Sequence, residues 1–156
     1  MFKKLSIFIV LAGMFLLAVN VSTVVAAPPA PLHIEVLEWP GDNSPVPFTA
    51  TGPAVDIGLV CATGMVVELD ITSNLPSGPF QILRVLKRFT CDDLSGTFDI
   101  KMVVKLDFAT NDTAARWQIV GGTGDYANLI GQGSLIGESN LPGEFSILDR
   151  YDGKVQ

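Results

Sequence analysis

The sequence predicts an all-β domain, an antiparallel closed barrel of about eight strands. Three observations carry this. Apolar and polar residues alternate with period two in one run after another. The runs are short and separated by clusters of Gly, Pro, Asn, Asp and Ser, the residues of tight turns. Beyond residue 27 no stretch has the apolar spacing of an amphipathic helix. Closely spaced strands joined by tight turns argue a meander. Closing it into a barrel removes the exposed edges. A two-sheet sandwich is the alternative that fits the same pattern.

Residues 33–39 make the first strand, and a loop at 40–45 separates it from a short strand at 46–50. A strand at 54–62 would place Val55, Ile57, Leu59 and Cys61 on one face. At 65–72, Val67, Leu69 and Ile71 share one face and Glu68 and Asp70 the other. After a turn at 74–78 comes a long strand, 80–91, with mixed faces, and then a tight turn at 92–96. Residues 97–109 alternate most cleanly: Phe98, Ile100, Met102, Val104, Leu106 and Phe108 lie on one side. The chain turns at 110–113 and pairs back over 115–120, with Trp117 and Ile119 inward. A glycine-rich segment, 121–133, leads into strands at 134–138 and 144–152, joined by a turn at 140–143.

A leader and a single domain are expected. Residues 1–27 read as a cleaved signal peptide: Lys3 and Lys4, an uncharged apolar run, then Val25-Ala26-Ala27 before Pro28-Pro29. An uncleaved anchor is the competing reading, but Asn20, Ser22 and Thr23 weaken the second half of the run. No Cys follows the run to take a lipid, since the first is Cys61. Residues 28–156 then form a single barrel domain, periplasmic or extracellular, with no stable membrane span after processing. The formal net charge is −6, and loss of Lys3 and Lys4 makes it −6 − 2 = −8. An acidic domain without a basic run is a poor match for nucleic acid or anionic lipid.

Cys61 and Cys91 are the only cysteines. In an oxidising compartment they read as one disulfide closing a loop of about 31 residues, worth roughly 3–4 kcal/mol. Two cysteines and the single His33 make an incomplete, badly spaced ligand set, so no metal is expected. The 80–91 strand poses a puzzle. One register faces Lys87 inward and the other Arg84 and Arg88. A buried cation needs a carboxylate or a wet cavity; otherwise a β-bulge turns these side chains out. Arg84 and Lys87 are therefore candidate ligand contacts.

Gly122-Thr123-Gly124-Asp125-Tyr126-Ala127 spells the dinucleotide pattern, but no helix follows it, so no nucleotide cofactor is expected. Gly121, Gly122, Gly124, Gly131 and Gly133 instead read as a structural loop, with Tyr126 and Leu129 plugging a barrel end. The acid pairs Asp92-Asp93 and Asp149/Asp152 read as turn caps rather than acid–base machinery.

The segment 92–137 also carries a resemblance. Its Asp92-Asp93-Leu94-Ser95-Gly96-Thr97-Phe98 start, the long alternating strand, Arg116-Trp117 and the glycines from Gly121 to Gly133 resemble dirigent-like and allene-oxide-cyclase-like barrels. They are similar, too, to small exported bacterial members of that superfamily. The resemblance implies an eight-stranded barrel with a central cavity, assembling as a dimer or trimer. Three functions follow as expectations. The first is a binding or structural module for a small, partly apolar or amphipathic molecule, with Trp117 and Tyr126 beside Arg84 and Lys87 as contacts. The second is a cyclase-like isomerase working in the cavity. The third is an envelope or matrix protein acting by self-association.

Overall fold

Successive strands with one apolar face each can bury that face together by curling it inward. In the computed structural model, which describes residues 28–39, 43–73, 76, 78–140 and 146–156, the chain does so. Eight strands follow in order: β1 (Ala30–Glu38), β2 (Val46–Thr51), β3 (Thr63–Ser73), β4 (Phe80–Cys91), β5 (Gly96–Asp107), β6 (Thr113–Gly124), β7 (Gly131–Asn140) and β8 (Ser146–Val155). Each pairs antiparallel with the next, and β8 pairs with β1 to close the barrel. The leader assigned to 1–27 lies outside the described residues, as do parts of the turns expected at 40–45, 74–78 and 140–143.

The interior is divided into two halves. At the end where β4 finishes and β5 begins, aromatic rings fill the lumen. Phe89 stacks on Phe98 with centroids 5.0 Å apart, and Phe48 meets Phe89 edge-on at 5.2 Å. Tyr126 closes this end, its ring 5.7 Å from Phe98 and its hydroxyl 2.7 Å from Ser95 Oγ. Such pairs contribute about 0.5–1.5 kcal/mol each beyond the area they bury. Toward the other end the rings give out, and the lining becomes aliphatic with a few charges. Phe108, grouped by alternation with the inward residues, instead sits exposed in the turn after β5.

Three local expectations need correction. Residues 54–62 are not a strand. Gly52, at φ +103°, turns the chain, and Pro53 opens a single helical turn, α1 (Pro53–Asp56). Backbone bonds from Ile57 N to Pro53 O and from Leu59 N to Ala54 O continue the coil, leaving Ile57 exposed. Proline's fixed φ at a helix start outweighs a short apolar alternation.

The glycines, likewise, are not one loop. Gly121, Gly122 and Gly124 continue β6 opposite Asp99, Phe98 and Gly96. Gly131 and Gly133 begin β7 opposite Val155 and Gly153, and only 125–130 turns. Two of them show why glycine is needed within a ladder. Gly124 has φ +60°, and a Cβ there would stand 2.1 Å from Ser95 O. At Gly133 a Cβ would meet the Trp117 ring at 2.6 Å, because the indole occupies the space beside Gly133 and Gly153.

On β3 the two expected faces, Val67, Leu69 and Ile71 against Glu68 and Asp70, do not stay separate. Val66 is buried opposite Phe89, and Glu68 stands opposite Lys87. A register shift between Glu68 and Asp70 then places Ile71 opposite Val85. One extra residue flips the parity of everything beyond it.

Candidate functional site

Strict alternation builds the site. On β1, Leu32, Ile34 and Val36 are buried, and two residues on the same face reaches Glu38. On β8 the inward face carries Asp149, Tyr151 and Val155. On β4 it carries Val85, Lys87, Phe89 and Cys91, with no bulge against β5. Barrel closure brings these three strands to one lumen, and Lys87 is 5% exposed there.

The two readings of β4 are thereby resolved. Lys87 faces inward and finds carboxylates. Its Nζ lies 2.5 Å from both oxygens of Glu38 and 3.4 Å from Asp149 Oδ2. Arg88 points out and grips Asp99 across the sheet with two bonds of 2.8 Å. Arg84 is exposed on the outer wall, between Thr72 and Val103.

Above the cluster lies a cavity of about 330 Å³ that opens at the barrel end. Val66, Leu83, Val85, Val104 and Leu135 supply apolar walls, and Trp39 and Ile71 stand at the half-exposed rim. Glu38, Glu68, Lys87, Asp149 and Thr113 supply polar groups, and Asn43 and Ser44 add two more. Such a volume is within the range of small-molecule sites, about 300–1,000 Å³.

The electrostatics follow from burial and neighbours. Burial alone would depress the Lys87 ammonium, but the Glu38 and Asp149 carboxylates outweigh it and hold Lys87 above the ordinary lysine range. Lys87 is thus a fixed cation rather than a nucleophile. Burial pushes the Asp149 carboxyl up to about 6, against the opposing pull of Lys87. Burial likewise raises Glu68, with Lys87 working against it and Glu38 and Asp70 with it. Tyr151 is held neutral by burial. Its hydroxyl reaches the cluster, and Thr113 Oγ1 lies near Asp149. Neither closes to hydrogen-bond geometry, so both are buried without a partner among the described residues.

Asp149 makes a pH prediction. Its folded pKa, about 6, exceeds the unfolded value of about 3.9. Between those values the folded chain holds a proton that the unfolded chain has released. The resulting stability is complete below pH 4 and is lost as pH rises through 6. Asp149→Asn removes this titration. In urea melts from pH 4 to 8, the variant's stability relative to the parent should rise with pH, by on the order of 1–3 kcal/mol at pH 7.5. A difference independent of pH would contradict the assignment.

The remaining candidates lie elsewhere. Trp117 is buried in the wall, donating Nε1–H to Ser134 O at 2.9 Å, and borders a shallow outer depression with Lys101 and Arg116. Tyr126 sits in the plug at the opposite end. Of the four expected contacts, only Lys87 reaches the cavity. The Asp149/Asp152 pair is split by strand alternation: Asp152 points out and accepts from His33 Nδ1 at 2.7 Å, while Asp149 points in. Asp93 does cap its own turn, accepting the Ser95 N–H at 2.9 Å. Sequence reasoning missed Glu38, Glu68 and Tyr151. The signal that could have found them is parity: an inward Lys87 demands carboxylates at inward positions of other strands. Cys61 and Cys91 form a disulfide with Cα atoms 5.9 Å apart, within the usual range.

Fold and site together define an eight-stranded up-and-down barrel, packed with aromatics at one end and hollow with an ionic floor at the other. Compared with known proteins, the chain matches no family model, no curated protein and no solved structure.

Proposed function

We propose that this chain is an exported binding barrel whose ligand, small and partly apolar, occupies the open half of the lumen. The observation that carries the reading is the cavity itself: about 330 Å³, aliphatic on its walls, with Glu38, Lys87 and Asp149 fixed at its floor. A barrel interior with no ligand to hold has no need of a buried ion cluster beneath a void, since packing it with apolar side chains is at least as stable. The disulfide and the leader support export. Kinship with dirigent-like and allene-oxide-cyclase-like barrels is part of the same proposal, supported by closure of eight antiparallel strands in sequence order.

A cyclase-like isomerase is the second reading. One observation favours it: a carboxyl with its pKa near neutrality, Asp149, shares an apolar cavity with a fixed cation.

The binding reading is tested with N-phenyl-1-naphthylamine, a neutral apolar fluorophore that brightens out of water. The protein should enhance its emission saturably. Val104→Trp, which fills the cavity from β5, should weaken this by at least about tenfold. Equal enhancement by the variant would place the probe elsewhere and count against the reading.

A further inference from the structure

The cavity wall carries an imbalance. Three carboxylates, Glu38, Glu68 and Asp149, line it against one cation, Lys87. Lys87 is already committed, with both Glu38 oxygens at 2.5 Å and Asp149 at 3.4 Å. Glu68 is half-buried at the wall and has neither a hydrogen bond nor an ion pair among the described residues. A second, independent sign of an absent partner is Thr113 Oγ1, which lines the same cavity and has no hydrogen-bond partner among the described residues. A half-buried carboxylate that shares its one neighbouring cation with two other carboxylates is only partly compensated, and a cation supplied from outside relieves it. An anion would meet the reverse: the one ammonium is occupied and surrounded by acids.

We propose that the cavity takes a primary amine on an apolar chain, its ammonium at the Glu68 carboxylate and its chain against Val85, Val104 and Leu135. This rests on the binding reading and names the class of ligand for the same site. Such an amine is protonated at neutral pH, as a lysine side chain is.

Three ligands of equal chain length separate charge from apolar fit: octylamine, 1-octanol and octanoate, titrated calorimetrically into the purified protein at pH 7.5 and low salt. The amine should bind at least about tenfold more tightly than the alcohol, and octanoate more weakly than either. Glu68→Gln keeps the side chain's size at a half-exposed position. It should bring the amine-to-alcohol ratio close to one while alcohol binding persists, which also shows that the variant is folded. Equal binding of amine and alcohol, a preference for octanoate, or an amine preference that survives Glu68→Gln would each overturn the assignment and leave the binding reading standing. No heat with any of the three would end both.

Discussion

Replacing Lys87 by alanine should destabilise the barrel by about 3–5 kcal/mol, the loss expected when one member of a buried ion cluster is removed. Lys87 is 5% exposed and stands between Glu38 and Asp149. Without it, two carboxylates share a low-dielectric lumen with no counter-ion, and the methylenes that pack the floor are gone as well. The deficit should shrink in acid, because protonation removes the uncompensated charge. With Lys87 absent the main opposition to burial at Asp149 is gone and its folded pKa rises further above its unfolded value, so the loss is smallest below that value and grows as pH rises. The triple change Lys87→Met, Glu38→Gln, Asp149→Asn should recover most of the loss, since a neutral set of similar volume has no charge to desolvate. Urea unfolding followed by tryptophan emission reads all three proteins. A Lys87→Ala protein as stable as the parent would mean that the cluster is hydrated and the floor is not a floor.

Breaking the disulfide should cost nearly as much, about 3–4 kcal/mol in the chain-entropy account. Cys61 ends the excursion that follows β2, and Cys91 ends β4. The bond spans 30 positions of sequence and ties α1 and its coil to the aromatic end of the barrel. That excursion has few other anchors: Ala54 and Val60 are buried, but Ile57 is exposed and Leu59 only half covered. Cys61→Ala with Cys91→Ala should therefore lower the urea midpoint, and hydrogen exchange should show the 52–62 segment opening first. The unreduced protein should take up no alkylating agent, and the reduced protein two equivalents. Free thiols in the protein as isolated, or a midpoint unmoved by reduction, would contradict this.

The fold was largely legible because its signal is local and repeated. In β5, Phe98, Ile100, Met102 and Val104 are buried in strict alternation, and one such strand after another leaves few architectures. The errors came where a single residue outranked the pattern. Gly52-Pro53 converted an apolar alternation into a helical turn. Glu68 reaches the cavity by plain alternation from Val66, and the bulge between Glu68 and Asp70 then changes the parity of β3 and turns Ile71 to the same side. The glycines of β6 and β7 read as a loop because glycine normally weakens strands, whereas here their missing side chains make room for the Trp117 ring.

The site was legible only as an anomaly. Lys87 stood out as a cation on a face that had to be buried somewhere. Its partners, Glu38 and Asp149, lie 49 and 62 positions away in sequence. Alternation gives each residue's face but not which faces meet across the lumen; barrel closure between β1 and β8 decides that. Trp117 and Tyr126 have the chemistry of ligand contacts but lie away from the cavity, one over glycines of β7 and β8 and the other in the plug.

The central claim is that the open half of the barrel is a binding chamber. Native mass spectrometry of the protein purified from its own host tests it most directly. The account predicts a reproducible added mass, small enough for the chamber, that leaves on denaturation and is absent from Val104→Trp. A bare monomer mass from the parent, or an added mass carried equally by the filled variant, would contradict it.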